Sequence, residues 1–101
     1  QTVYSSTKSG LIGLTKSLSL ELAKNKIRVN CLSPGVIKES QLFKNYSKSI
    51  TIEKAQSVIN SHPLRAGSFN DVNQAIEFLI GENSGWLTGQ NFILDGGYSS
   101  Q

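Results

Sequence analysis

Methionine is absent from the 101 residues, and cysteine, histidine and tryptophan occur once each. A chain without methionine is not expected to be an unprocessed translation product. With Gln1 lying directly before its most reactive-looking stretch, it is expected to be the C-terminal part of something longer. The lone Cys31 excludes an internal disulfide and fits a reducing, cytoplasmic compartment; as a residue it is expected to act as a small buried hydrophobe. His62 has no Cys or carboxylate at ligand spacing, so a metal site is not expected, and it reads as a solvated residue at a helix end. No apolar run approaches the roughly 20 residues that span a bilayer, and there is no secretory hydrophobic segment. No membrane partner is therefore expected. The formal charge is only +3, and its cations are scattered from Lys8 to Arg65 without a dense patch, so a nucleic-acid partner is not expected either. There is no internal repeat and no low-complexity linker.

What is present is a globular composition, 38% hydrophobic and 17% charged. From about Ser5 to Lys24, Leu11, Leu14, Leu18 and Leu22 recur at three- and four-residue steps, which predicts a helix with an apolar stripe. Ile12 and Leu20 add a second apolar line, so this helix is expected to be covered on two sides, with Asn25 as its stop. Gly10 and Gly13 cost the helix on the order of 1 kcal/mol each, and close approach by a neighbouring backbone would compensate. Residues 27–32 read as a strand rich in β-branched side chains, ended by Ser33, Pro34 and Gly35. Val36 to Ser49 is polar, with room for one short helix and the composition of a mobile lid. Further helices are predicted over 52–60, stopped by His62 and Pro63, and over about 71–80, with capping side chains in 68–71. Trp86 is expected in the core or at an interface, and a short strand over 91–94 precedes the turn Asp95-Gly96-Gly97. The helix-then-strand order suits a parallel crossover unit of an α/β fold, whose ligands bind beyond the carboxyl ends of the strands.

The chemistry concentrates at Tyr4-Ser5-Ser6-Thr7-Lys8. On a helix, residues four apart share a face, so the Tyr4 phenol and the Lys8 ammonium point the same way. A fixed cation beside a phenol stabilises the phenolate: opposite unit charges about 4 Å apart attract by about 4 kcal/mol at an effective dielectric near 20. A phenol in that setting can trade protons with a substrate oxygen.

Tyr4-x-x-x-Lys8, the strand Ile27-Arg28-Val29-Asn30 leading to Pro34-Gly35, and the terminal Thr88-Gly89-Gln90 with Asp95-Gly96-Gly97 together resemble the C-terminal half of the short-chain dehydrogenase/reductase family, notably its bacterial 3-oxoacyl-carrier-protein reductases. The resemblance runs from Gln1 to about Tyr98. It implies that residues 1–101 are one fragment of a Rossmann-like, doubly wound parallel-sheet domain, with two strands and three to four helices. The dinucleotide-phosphate-binding half, with its glycine-rich loop and catalytic Ser, would lie upstream. It implies an NAD(P)-dependent oxidoreductase acting on a carbonyl/secondary-alcohol pair, with NADPH slightly favoured and a carrier-bound acyl chain among the possible substrates. Tyr4 would be the general acid/base and would also contact the cofactor. Lys8 would assist it and hold the nicotinamide ribose, and Pro34, Gly35, Val36 and Ile37 would cradle the nicotinamide, with Ile37 meeting its carboxamide. The long helix would contribute to a homo-oligomer, a dimer or tetramer. Many relatives carry Thr where this chain has Glu39, a carboxylate that would be unfavourable near cofactor phosphates. The alternative is a non-catalytic oligomerisation or scaffolding module using the Leu11, Leu14, Leu18 and Leu22 face. On either reading the fragment by itself is expected to show little or no turnover.

Overall fold

The computed structural model describes residues 2–101, which form four α-helices and two short strands, with three of the helices between the strands. Helix α1 spans Thr2–Leu22, β1 Cys31–Pro34, α2 Gln41–Lys48, α3 Ile52–Asn60, α4 Phe69–Ile80 and β2 Asn91–Leu94. The strands pair in a two-stranded sheet. The Cys31 N–H donates to Gln90 O (2.8 Å) and the Gly35 N–H to Leu94 O (2.9 Å), the same offset both times, as in a parallel ladder. Pro34 falls on the alternate phase, so its missing donor lies on the side of β1 away from β2. The chain divides into two compact units, one of residues up to Leu32 with Phe78–Phe92, the other of Ser33–Glu77 with Ile93–Gln101.

In the first unit α1 does not bury the leucine stripe that its sequence suggests. Its buried residues are Thr15 and Ser19, flanked by half-buried Ile12, Leu18 and Leu22, whereas Leu11 (54%), Leu14 (52%) and Leu20 (81%) are exposed. Two hydroxyls can line a packed face because each is satisfied within the helix: Thr15 Oγ1 donates to Leu11 O (2.8 Å) and Ser19 Oγ to Lys16 O (2.7 Å). Small side chains there admit close packing, and a Cβ on the buried Gly89 would sit 2.6 Å from Ser19 Oγ. Gly10 and Gly13 have no such neighbour, with nothing within 4 Å of either Cβ position. The helix ends in a 3-10 turn over Ala23–Asn25, and Lys26, not Asn25, takes the left-handed conformation (φ 60°, ψ 31°), its N–H bonding to Ala23 O.

Residues 27–30 belong to no regular element, so β1 starts at Cys31, later than predicted. They are tied to residues 81–90 largely through side chains. The Arg28 guanidinium donates to Gly81 O and Leu87 O, the Val29 N–H donates to Thr88 Oγ1, and Asn30 both donates to Leu87 O and accepts from the Gln90 N–H. Ser84 is almost fully buried and donates to Leu79 O and Gly81 O, closing the end of α4. Trp86 is 99% exposed, which overturns a core role for it in this chain.

In the second unit α2 and α3 are capped in the same way. Ser40 Oγ accepts from the Phe43 N–H and Thr51 Oγ1 from the Lys54 N–H. Helix α4 opens on a capping box, with Asp71 Oδ2 accepting from the Ser68 N–H (2.8 Å) and Ser68 Oγ from the Asp71 N–H (3.3 Å). Ile37 and Ala66 are the buried apolar side chains of this second unit. Across the molecule few large apolar groups are buried and many are exposed, Ile52 (85%) and Leu64 (83%) among them. No helix of the described residues is long and apolar enough to cross a membrane.

Candidate active site

The first group of predicted site residues lies on α1. Because the helix already runs from Thr2, Tyr4 and Lys8 are one turn apart on one face. Thr7, between them, turns its hydroxyl back onto Val3 O (2.8 Å) and takes no part in that face. The Tyr4 side chain is well exposed, at 64%.

The second group, Pro34, Gly35, Val36 and Ile37, lies in the other unit, where β1 ends and the chain turns toward α2. This loop is fixed by main-chain bonds. Ile37 forms an isolated parallel bridge with Gly67, through the Gly67 N–H to Val36 O (2.8 Å) and the Lys38 N–H to Gly67 O (3.3 Å). In a parallel bridge of that phase the central residue's own groups face the opposite side. The Ile37 carbonyl is taken by the Ser40 N–H (3.0 Å), while the Ile37 N–H has no partner among the described residues. Its side chain is buried. The loop thus carries one main-chain donor without a partner among the described residues, on a fixed, partly apolar support. At Gly35 a Cβ would come 2.9 Å from Asp95 Cβ and 3.1 Å from His62 Nε2, so only glycine lets the chain pass.

Sequence reasoning missed His62. It is 5% exposed, contrary to the solvated helix-end residue expected, because the chain after α3 folds it under the loop. Its Nε2 meets the Val36 N–H (3.2 Å), its Nδ1 meets Val58 O (3.0 Å), and its ring stacks on Tyr98 with centroids 5.0 Å apart. The contact to Val36 spans 26 residues of sequence, and no local pattern announces it.

Glu39 also finds a role that its sequence position conceals. Its Oε2 accepts from the Phe69 N–H (2.9 Å) at the first residue of α4, where helix N–H groups lack intrahelical partners and favour an anion. The carboxylate is thereby held within its own unit, and a second anchor is added beyond Ile37. Nearby, Asp71 pairs with Arg65 through two hydrogen bonds (2.6 and 2.8 Å). The Arg65 guanidinium first, and the Ser68 N–H next, hold the Asp71 carboxyl well below the usual carboxylate range. The turn Asp95-Gly96-Gly97 forms as expected, with both glycines at positive φ. The Ser99 hydroxyl first, and the Ser99 and Gly97 N–H groups after it, hold the Asp95 carboxyl below its ordinary value. Among the described residues no group of three or more His, Cys, Asp or Glu could hold a metal ion.

A family model described as enoyl-(acyl carrier protein) reductase matches residues 1–99. The pig protein named dehydrogenase/reductase SDR family member 4 is 37% identical over 101 residues, covering 97% of this chain and 34% of its own. The 3-oxoacyl-[acyl-carrier-protein] reductase FabG of Chlamydia pneumoniae is 40% identical over 98 residues, covering 96% of this chain and 38% of its own. Among solved structures, a 4-hydroxyisoleucine dehydrogenase mutant complexed with NADH and succinate superposes with a TM-score of 0.85 at 36% identity, covering 99% of this chain and 40% of that one. ElxO with NADP bound gives 0.81 at 38% identity, with the same coverage. The chain therefore spans roughly a third to two-fifths of the length of the proteins it matches.

Proposed function

The chain belongs to the short-chain dehydrogenase/reductase family, and we propose that it is the C-terminal part of one NAD(P)-dependent, Rossmann-like dehydrogenase domain that interconverts a carbonyl and a secondary alcohol. The observation that carries this reading is the unbroken helix from Thr2, which puts the Tyr4 phenol and the Lys8 ammonium one turn apart on one face.

In the reductive direction Tyr4 donates its phenolic proton to the substrate carbonyl oxygen as the carbon accepts hydride. In the oxidative direction it withdraws the alcohol proton. Lys8 places a positive charge beside the phenolate left after donation, and its remaining N–H groups hold ribose hydroxyls. When bound, the nicotinamide supplies or takes up the hydride. Pro34, Gly35, Val36 and Ile37 fit that group: the free Ile37 N–H matches a carboxamide oxygen, and the absence of a side chain at Gly35 keeps the loop in place. The NADH complex and the NADP complex among its structural neighbours support either nucleotide, with NADPH slightly favoured. FabG among the relatives supports a carrier-bound acyl chain as one substrate class. The exposed Leu11 and Leu14 support a homo-oligomer, and the single Cys31 supports the cytoplasm as the compartment.

That same exposed face favours a second reading, a non-catalytic assembly module. The two are separated by supplying the full-length protein with a carbonyl panel and nicotinamide nucleotide deuterated at C4. Deuterium appearing at the carbinol carbon of the product is the expected result. Assembly without any transfer, for both nucleotides, would leave only the second reading.

A further inference from the structure

Both ring nitrogens of His62 are engaged, and the partners dictate the tautomer. Val58 offers a carbonyl oxygen at 3.0 Å, which only accepts, and Val36 offers an N–H at 3.2 Å, which only donates. The Nδ1 atom therefore carries the proton and Nε2 is the acceptor. The ring is buried, stacked on Tyr98, and its Nε2 lies where a side chain on Gly35 would intrude. Three segments distant in sequence thus converge on one imidazole: the end of α3, the Gly35-Val36 peptide, and the Asp95–Tyr98 turn. Val36 is the residue whose carbonyl bonds Gly67 and whose successor, Ile37, carries the unpaired N–H. An acceptor fixed against the Val36 N–H sets the plane of the peptide before Val36, and the Ile37 bridge to Gly67 sets the next.

We infer that His62 is a positioning residue: its neutral imidazole, protonated on Nδ1, holds the Val36–Ile37 backbone in the conformation that receives the nicotinamide. This rests on the dehydrogenase reading for the identity of the ligand. It does not rest on that reading for the conformation of the loop. His62 reaches the cofactor only through the backbone, so its loss is felt in nucleotide affinity more than in the proton transfer assigned to Tyr4.

The test compares the full-length wild type with His62→Leu, which fills similar space without an acceptor, and His62→Gln, whose amide oxygen reaches the Nε2 position. Two readouts are used: the Kd for NADPH and NADH from nucleotide fluorescence, and hydrogen exchange at the Val36 and Ile37 amides of the nucleotide-free protein. Losing one neutral hydrogen bond predicts a Kd raised roughly two- to tenfold in the Leu variant, together with faster exchange at Val36. The Gln variant is expected to recover both. If Leu fails to fold, the Gln variant carries the test: Val36 exchange and Kd moving together, both like the wild type or both altered, is the supporting result, whereas fast Val36 exchange with an unchanged Kd would overturn the inference. Slow Val36 exchange and unchanged Kd in a folded Leu variant would overturn the inference while leaving the dehydrogenase reading intact. A wild type that binds neither nucleotide would overturn the dehydrogenase reading, and with it the affinity role given to His62.

Discussion

At the residue scale, the chain places polar side chains where their hydrogen-bond partners already exist. Thr15, Ser19, His62 and Ser84 are among the most buried residues, and each has a partner for its polar atoms. The same economy makes the Arg65–Asp71–Ser68 cluster sensitive to acid. The Asp71 carboxyl is held below its ordinary value of about 3.9, so its contribution to stability is complete above about pH 4 and is lost as pH falls toward the lowered value. In Asp71→Asn the full-length protein is therefore expected to melt below the wild type at neutral pH. The gap should narrow as the pH is taken from 5 toward 2, as thermal melts across that range would show. A gap that stayed constant with pH would mean that the charge is immaterial and only the capping geometry counts.

At the element scale, legibility followed the range of the contacts. Helix α3 and strand β2 span the residues expected of them because their signals are local: apolar spacing with the His62-Pro63 stop for one, and the Asp95-Gly96-Gly97 turn for the other. Strand β1 begins late because Arg28 to Asn30 spend their polar groups on residues 81–90, a commitment that no window of sequence reveals. The leucine periodicity of α1 correctly marked a helix but not its buried side, since Thr15 and Ser19 face inward while Leu11 and Leu14 face out. Of the candidate site, the Tyr4 and Lys8 spacing on one helix face and the turn at Pro34-Gly35 were legible locally, while the roles proposed for Tyr4, Lys8 and Pro34–Ile37 came from the family resemblance. His62 and the capping role of Glu39 were not legible, because their partners lie about 30 residues away. An outward leucine face on a long helix has a consequence at this scale. Leu11→Lys combined with Leu14→Lys is expected to leave the helix content unchanged, since lysine is a good helix former, but to reduce the assembly to a smaller species by light scattering. An unchanged mass would contradict the proposed role of this face in assembly.

At the scale of the whole molecule, the exposed apolar groups and the two-stranded sheet describe a segment whose surfaces suit further partners. The 101-residue segment by itself is expected to give no NADPH- or NADH-dependent carbonyl reduction. Turnover by that segment at ordinary enzymatic rates would show that the site is complete within it. The proton chemistry assigned to Tyr4 is the centre of the account, and Tyr4→Phe in the full-length protein tests it most directly because only the ionisable oxygen is removed. The predicted result is a kcat lower by roughly 10²- to 10⁴-fold, with nucleotide Kd within about twofold of the wild type. A Tyr4→Phe protein that folds, binds nucleotide and turns over carbonyl substrate at the wild-type rate would contradict it.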